Sequence, residues 1–488
     1  MKMRNFVWIV VLAVAAVALA SEGLQSQSDG ECTLALVRAD RTADGRMLIW
    51  KNRDVSNRNQ VARILDGPNY RFVGIGYGNT PNEVWGGVNT VGFAVANSNA
   101  WNLQPLVDPA DDGTIQTRAL GTCYNLAQFR VILDETDTLN GGRTNPSCFL
   151  AFDSTGAMSV FEADRNAWWE YPLTAQDPNG YLVRANYAYG ADTLNNPLGF
   201  YRNDRARRFY ARALAAAPIG LDSVFRIMRD IAPDGWSSDV FPIPLDGYIG
   251  SHVYAYSSMY GSICRRNTAS GMVIQGGKRT AQGWSMPVVW FFLGNPVTTV
   301  AVPVWPHQTT LSARLTGTSS PICSEANAMY DAIDGTSQSI DTRFLVNNTG
   351  GWMPEMYATE AEIRAQVAPL LAGVPTAQQC NTISASIANM VYNTIYDYRA
   401  PRTPANIGVS LTSGTPTLTW TAVTRDYRNR TLPTGTVVRY QIEFANPSLA
   451  NRSVRFSPLA VVQSTSYPIP SFTNNYVYRV KAISHYMD

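Results

Sequence analysis

The sequence predicts an α+β fold in which layered sheets are covered by helices, and three observations carry that expectation. Between residues 32 and 306, β-type runs alternate with Gly, Asn and Asp turns, at 33–37, 47–50, 92–96, 148–152, 181–186, 271–275 and 297–304. Helical spacing interrupts them at 124–133, 205–216 and 221–231. The composition supplies a core: 45% of the 488 residues are hydrophobic and only 16% charged, below the roughly 25% of ordinary soluble domains. Disorder is thereby excluded as the main state.

The remaining segments follow in order. Residues 1–20 read as a secretory signal, with Lys2 and Arg4 before an unbroken apolar run and Ala18-Leu19-Ala20 as a small-x-small cleavage site. That run is shorter than the roughly 20 residues needed to span a bilayer, so cleavage and export to a secreted or periplasmic location are expected. Residues 21–31 are polar and aperiodic, a leader or propeptide before the main domain at 32–315. From 316 to 400 the spacing turns helical, at 325–333, 358–372 and 377–396, which predicts a helical extension. Ala400-Pro401-Arg402-Thr403-Pro404 marks a linker. Residues 405–488 are short strands and turns. Their Leu418-Thr419-Trp420, Tyr440-Gln441-Ile442 and Tyr478-Arg479-Val480-Lys481-Ala482 resemble the core strands of a fibronectin type III sandwich, a spacer or module for surface or carbohydrate contact.

Charge and cysteines bound the chemistry. The formal charge is +2 with no basic stripe, which argues against nucleic acid as a partner. Three histidines leave little for histidine catalysis, and neither the carboxylates nor the six cysteines have metal or C-x-x-C spacing, so no cofactor is expected. With Cys32 kept free, at most two bridges form. Cys123–Cys148 and Cys323–Cys380 are the pairs nearest in sequence.

The most informative segment runs from Cys32 to Asp54. Two strand-like runs flank Thr42-Ala43-Asp44-Gly45, and Asp-Gly is a strong hairpin signal. Centring the turn near residue 43 puts Cys32 opposite Asp54, with Asn52 and Arg53 beside it. A cysteine nucleophile needs a base, and His252, His307 and His485 are poorly placed to supply one. A chain cut before Cys32 would offer its own α-amine, of reference pKa about 7.7–8.0. A neighbouring cation would favour the thiolate and Asp54 would orient the amine. The bland reading, a buried inert cysteine, stands about even on these residues alone. Further on, Asn97 and Asn99 lie where the strand after Gly92 ends, and Asn186 ends another. Such amides can donate to an oxyanion, although each taken singly is more often a turn former. Trp168, Trp169 and Tyr171 read as packing or as an acyl pocket. The run 204–208 reads as a solvated helix face with one arginine turned inward, and Gly276-Gly277-Lys278 as a hairpin turn.

In combination these stretches resemble the acyl-CoA:6-aminopenicillanic acid acyltransferase-like family, whose relatives include the choloylglycine hydrolases. The resemblance is carried by Cys32-Thr33, Asp44-Gly45-Arg46, Trp50-Lys51-Asn52-Arg53-Asp54, Gly87-Val88-Asn89, Gly92-Phe93 and Asn97-Ser98. It continues in Arg184-Ala185-Asn186-Tyr187, Arg208-Phe209, Trp290, Leu293-Gly294-Asn295-Pro296 and Val302-Pro303-Val304-Trp305. It implies a four-layer αββα sandwich of the N-terminal-nucleophile type, matured by exposure of a cysteine that attacks an amide. Carried over, Cys32 is nucleophile and base, Asp54 binds the amine, Asn97 serves the oxyanion, Asn186 orients the amine or assists the oxyanion, and Arg208 organises the site. The bile salt hydrolases place an arginine where this chain has Lys51. Strand alternation puts Lys51 and Arg53 on one face, so either can supply the charge, and the fork of donors favours Arg53. Asn99 shares a face with Asn97 and is the alternative oxyanion donor. The expectation is an amidohydrolase of small linear amides. A cysteine dipeptidase, an acyltransferase of the same fold and a non-catalytic binding protein are its competitors, and the oligomeric state is left open.

Overall fold

Ser147-Cys148-Phe149-Leu150-Ala151-Phe152 is apolar at nearly every position, so a strand made of it has to be covered on both faces. That requirement organises the molecule. The computed structural model describes residues 31–103, 111–190, 199–231, 257–258, 262–333, 339–340, 342–345, 351–398 and, with short interruptions, 401–484. The signal expected over 1–20 and the leader expected over 21–31, save its last residue Glu31, which opens the first strand, lie outside these residues, as do His252 and His485.

The fold is mixed α+β. A seven-stranded antiparallel sheet is a meander of β3 (Gln60–Asp66), β4 (Arg71–Tyr77), β5 (Gly86–Asn89), β6 (Ala94–Asn99), β7 (Ser147–Phe152), β8 (Met158–Ala163) and β9 (Trp168–Pro172). A six-stranded sheet runs β10 (Tyr181–Arg184), β1 (Glu31–Val37), β2 (Leu48–Asp54), then the strands Thr268–Gln275, Val288–Leu293 and Val302–Val304. Of the run expected at 297–304, only the end is strand. Before it, Asn295 closes a turn by accepting from Thr298 N on its carbonyl at 2.9 Å and from Val297 N on its side chain at 3.1 Å.

The two sheets face each other. Leu34 and Leu36 share one apolar cluster with Val73, Ile75, Ala96, Leu150, Phe152 and Val160. Behind the seven-stranded sheet, Phe149, Ala151 and Phe161 meet the helices Asp111–Thr122 and Leu126–Thr136 through Ile115, Leu120, Phe129 and Leu133. Outside the six-stranded sheet lie the helices Phe200–Ala216 and Leu221–Met228, and Phe225 packs edge-on against Phe292 at 4.9 Å. The sheets approach closely at Gly86, where a Cβ would sit 2.0 Å from Met272 Cε of the opposite sheet.

Helices Pro321–Ile333, Trp352–Ala372 and Ala377–Asp397 bury Met329, Trp352, Ile363, Ile387 and Val391 in the same cluster as the six-stranded sheet. A Thr376–Gln379 capping box starts the last of them. Arg229 and Glu360 anchor this layer through a buried pair, Nη1 to Oε2 at 2.9 Å and Nη2 to Oε1 at 2.5 Å. Beyond residue 401, two three-stranded sheets enclose a cluster of their own around Trp420 and Tyr440, whose rings are 5.2 Å apart. Among the described residues no helix is long and apolar enough to cross a membrane.

The expected disulfides are not formed: all six cysteines are free and buried. Cys123 packs among helices behind the seven-stranded sheet, whereas Cys148 sits in a small cluster with Ala100 and Ala188. Cys323 Sγ lies 3.0 Å from Arg58 O, and Cys380 Sγ lies 3.6 Å from His307 Nε2. Nearness along the chain was the only reason to pair them, and each thiol is committed to a different neighbour.

Candidate active site

The hairpin places Cys32, but one residue out of the expected register. Pairing starts at Val37↔Leu48, across a connection that holds a 3₁₀ turn at Ala39–Arg41 and Gly45 with φ +69°, and this brings each β1 residue to a partner one position nearer along the chain than a turn centred at 43 would. Cys32 therefore lies opposite Arg53, and Glu31 opposite Asp54. Directly opposed residues share a face, so Cys32, Arg53 and Lys51 point into the space between the sheets. Thr33, Asn52 and Asp54 point outward, toward the helices.

At the outward side, the Cys32 backbone N–H donates to Asn186 Oδ1 at 2.7 Å. Asn186 follows β10 with φ +62°, a left-handed conformation that Asn tolerates better than most residues, and its Nδ2 donates to Asn99 O at 3.1 Å. Helix Phe200–Ala216 sends in Arg202, which donates to Cys32 O at 3.0 Å, Thr33 Oγ1 at 3.0 Å and Asn186 Oδ1 at 2.9 Å. Arg202 Nη1 is also 3.9 Å from Asp54 Oδ2. Asp54 Oδ1 accepts from Thr268 Oγ1 at 2.6 Å, while Oδ2 is buried with no hydrogen bond. Burial pushes the Asp54 carboxyl up to about 6, against the opposing pull of Arg202 and the Thr268 hydrogen bond.

The inward side holds a second network. Lys51 Nζ donates to Trp85 O at 3.0 Å and Asn97 Oδ1 at 2.8 Å. Gln116 Nε2 donates to the same Asn97 oxygen at 3.0 Å, and Asn97 Nδ2 donates to Asp112 Oδ2 and, at 3.3 Å, to Ser147 Oγ. Arg53 donates to Gln60 Oε1 at 2.7 Å, with its guanidinium 4.0 Å from the Tyr77 ring centre and 4.6 Å from that of Trp85. Burial lowers Lys51 to about 8 and raises Asp112. Burial also raises the Cys32 thiol, and the Lys51 charge opposes that rise. A thiol here is poised only while its cationic neighbour stays protonated.

The structure brings Cys32, Asp54 and Asn186 together, with Arg53 across the strand pair and Asn97 tied in through Lys51. Arg208 is not among them. It is half exposed and pairs with Asp204 at 3.4 Å along the same helix. The buried face of that helix includes Arg202, Arg205, Ala206 and Phe209, so the arginine that reaches Cys32 comes six residues earlier, at Arg202. Trp168 bonds Asp134 through Nε1 at 3.0 Å, and Trp169 stays exposed on the edge strand, away from Cys32. Asp112 and Gln116 escaped the sequence reading: four residues apart on helix Asp111–Thr122, they imitate a solvated stripe but face inward. Among the described residues no group of His, Cys, Asp and Glu could hold a metal ion.

No protein-family model and no curated protein sequence matches this chain. Among solved structures it is similar to a mutant of the conjugated bile acid hydrolase from Clostridium perfringens, at 15% identity and TM-score 0.23, covering 31% of this chain and 52% of that one. The chain thus spans about half the length of that protein. It is also similar to a Caenorhabditis elegans N-acylethanolamine-hydrolyzing acid amidase ortholog, at 15% identity and TM-score 0.28, covering 39% and 83%. A penicillin V acylase from Agrobacterium tumefaciens aligns at 14% identity and TM-score 0.34, over 57% of this chain and 87% of that chain.

Proposed function

We propose that this is an exported cysteine N-terminal-nucleophile amidohydrolase of αββα architecture that cleaves a linear, non-peptide or N-acyl amide once Cys32 becomes the N-terminus. The observation that carries the reading is the surplus of acceptors at the Cys32 nitrogen's strand end. A peptide N–H has one hydrogen to give, and Asn186 Oδ1 takes it. At the same end Asp54 Oδ2 is buried with no hydrogen bond, a costly arrangement for an uncleaved chain and a fitting one for an ammonium with three donors.

In that mechanism the amine accepts the Cys32 proton, and the thiolate, favoured by the Lys51 charge, attacks the amide carbon. The tetrahedral oxyanion takes one of the two Asn97 Nδ2 hydrogens, which otherwise go to Asp112 and Ser147, with Lys51 gripping the amide by its oxygen. The ammonium protonates the departing amine and leaves a thioester. Water, deprotonated by the amine, attacks that thioester, releasing the acid and restoring the thiol. Arg202 positions the nucleophile through its carbonyl and Asn186. Residues 405–488, with Trp420 against Tyr440 and the Tyr440 hydroxyl accepting from Val423 N at 2.9 Å, support a fibronectin type III-like accessory module.

The test is the N-terminus of the purified secreted protein, by intact mass and terminal peptide mapping. Wild type should begin at Cys32, and Cys32→Ala should keep residues 21–31 and lose about 10⁴-fold or more of any amidase activity. If wild type also keeps residues 21–31, the amine-as-base mechanism is wrong.

A further inference from the structure

Seven arginines are buried among the described residues: Arg46, Arg53, Arg143, Arg184, Arg202, Arg205 and Arg229. Six have a carboxylate within 4 Å, respectively Asp44, Asp137, Glu162, Asp54, Asp230 and Glu360. Arg53, 2% exposed, has none among the described residues; its hydrogen-bond acceptor is the neutral Gln60 Oε1. An uncompensated buried guanidinium is expensive, because desolvation is not offset by an opposite charge. It also lies against the Tyr77 and Trp85 rings, whose centres are 4.5 Å apart and which cover it together from one side.

The charges around Cys32 do not cancel either. In the processed state Lys51, Arg53, Arg202 and the new amine would be the cations, and Asp54, Asp112 and the thiolate the anions. One positive charge is left over. Lys51 reaches Asp112 through the Asn97 amide and Arg202 lies against Asp54, so the surplus falls on Arg53.

Resting on the proposed function, we infer that the amide substrate carries an anionic group a few bonds from the scissile carbonyl, and that Arg53 is its receptor. The direct Cys32↔Arg53 pairing sets that spacing, since opposed side chains on one face start about 5 Å apart. The planar fork of the guanidinium matches a carboxylate's two oxygens, while the Tyr77 and Trp85 rings shield one side of it from water.

The test compares alkylation of Cys32 by iodoacetate and iodoacetamide in the processed protein, read site-specifically by mass spectrometry. The two reagents differ in a carboxylate against a carboxamide two bonds from the attacking sulfur. Relative to a free thiol in the same buffer, wild type should favour iodoacetate by about tenfold or more. Arg53→Gln should erase that preference, and Arg53→Lys should keep most of it. The wild-type ratio decides the matter alone if Arg53→Gln does not fold. A Cys32 that reacts readily with no preference for iodoacetate overturns the inference and leaves the proposed function standing. Inertness toward both reagents removes the two together.

Discussion

Arg229 and Arg53 are both buried, and both stack on aromatic rings: Arg229 on Phe292 and Tyr357, Arg53 on Tyr77 and Trp85. Their hydrogen bonds separate them. Arg229 meets both carboxylate oxygens of Glu360 and the carbonyls of Pro296 and Thr299, so its charge is spent on joining the helical layer to the sheets. Arg53 meets a neutral amide and, among the described residues, no counter-ion. Burial with complete compensation builds structure, whereas burial with a missing counter-charge leaves a site that a ligand can complete.

Breaking the compensated pair should give the largest effect on stability. Glu360→Gln leaves Arg229 buried without its anion and should cost about 3–5 kcal/mol. The check is a lower urea midpoint at unchanged slope, with Cys32 alkylation in the folded fraction unaltered. Arg53→Gln removes a charge that has no counter-ion among the described residues, so its midpoint should move much less. Equal losses would erase the distinction between the two arginines.

The compared regions also differ in how visible they are in sequence. The hairpin, the strand ends carrying Asn97 and Asn186 and the helical spacing after residue 320 rest on local pattern, which a single sequence carries. Register depends on where a turn pivots, and the connection holding Ala39–Arg41 and Gly45 brings Cys32 to a partner one residue nearer than an Asp-Gly turn centred at 43 would. Asp112, Gln116 and the Arg229–Glu360 pair depend on which polar faces turn inward. A buried polar stripe and a solvated one have the same spacing, so only the tertiary arrangement tells them apart. The cysteines failed for a related reason: proximity along the chain says little about proximity across layers.

A smaller effect should sharpen the role of Lys51. Its ammonium favours the Cys32 thiolate, and burial brings its loss of charge down to about 8. Activity that depends on that charge should fall as pH rises through that value. Lys51→Arg keeps the charge to far higher pH and should move the alkaline limb of kcat/KM up by more than about one unit, with the acid limb unmoved. A limb that stays in place belongs instead to the Cys32 α-amine, and Lys51 is then a structural tie for Asn97.

The smallest effect should come from Arg208, and it tests whether helix geometry identifies the site's arginine. On helix Phe200–Ala216, Arg202, Arg205, Ala206 and Phe209 recur at the three-and-four spacing of one buried face, and Arg208 falls off that face. Its partner Asp204 is as exposed as it is, and such i,i+4 pairs contribute little. Arg208→Ala should therefore change stability by no more than about 0.5 kcal/mol and leave Cys32 alkylation and amide turnover within about twofold. Arg202→Gln, which strips donors from Cys32 O, Thr33 Oγ1 and Asn186 Oδ1 together, should lower kcat by about 100-fold or more while the fold persists. The ratio between the two variants is the informative quantity, because a general loss of helix docking would depress both. A severe defect in Arg208→Ala with a mild one in Arg202→Gln would mean that the helix turns its other face to the site during turnover.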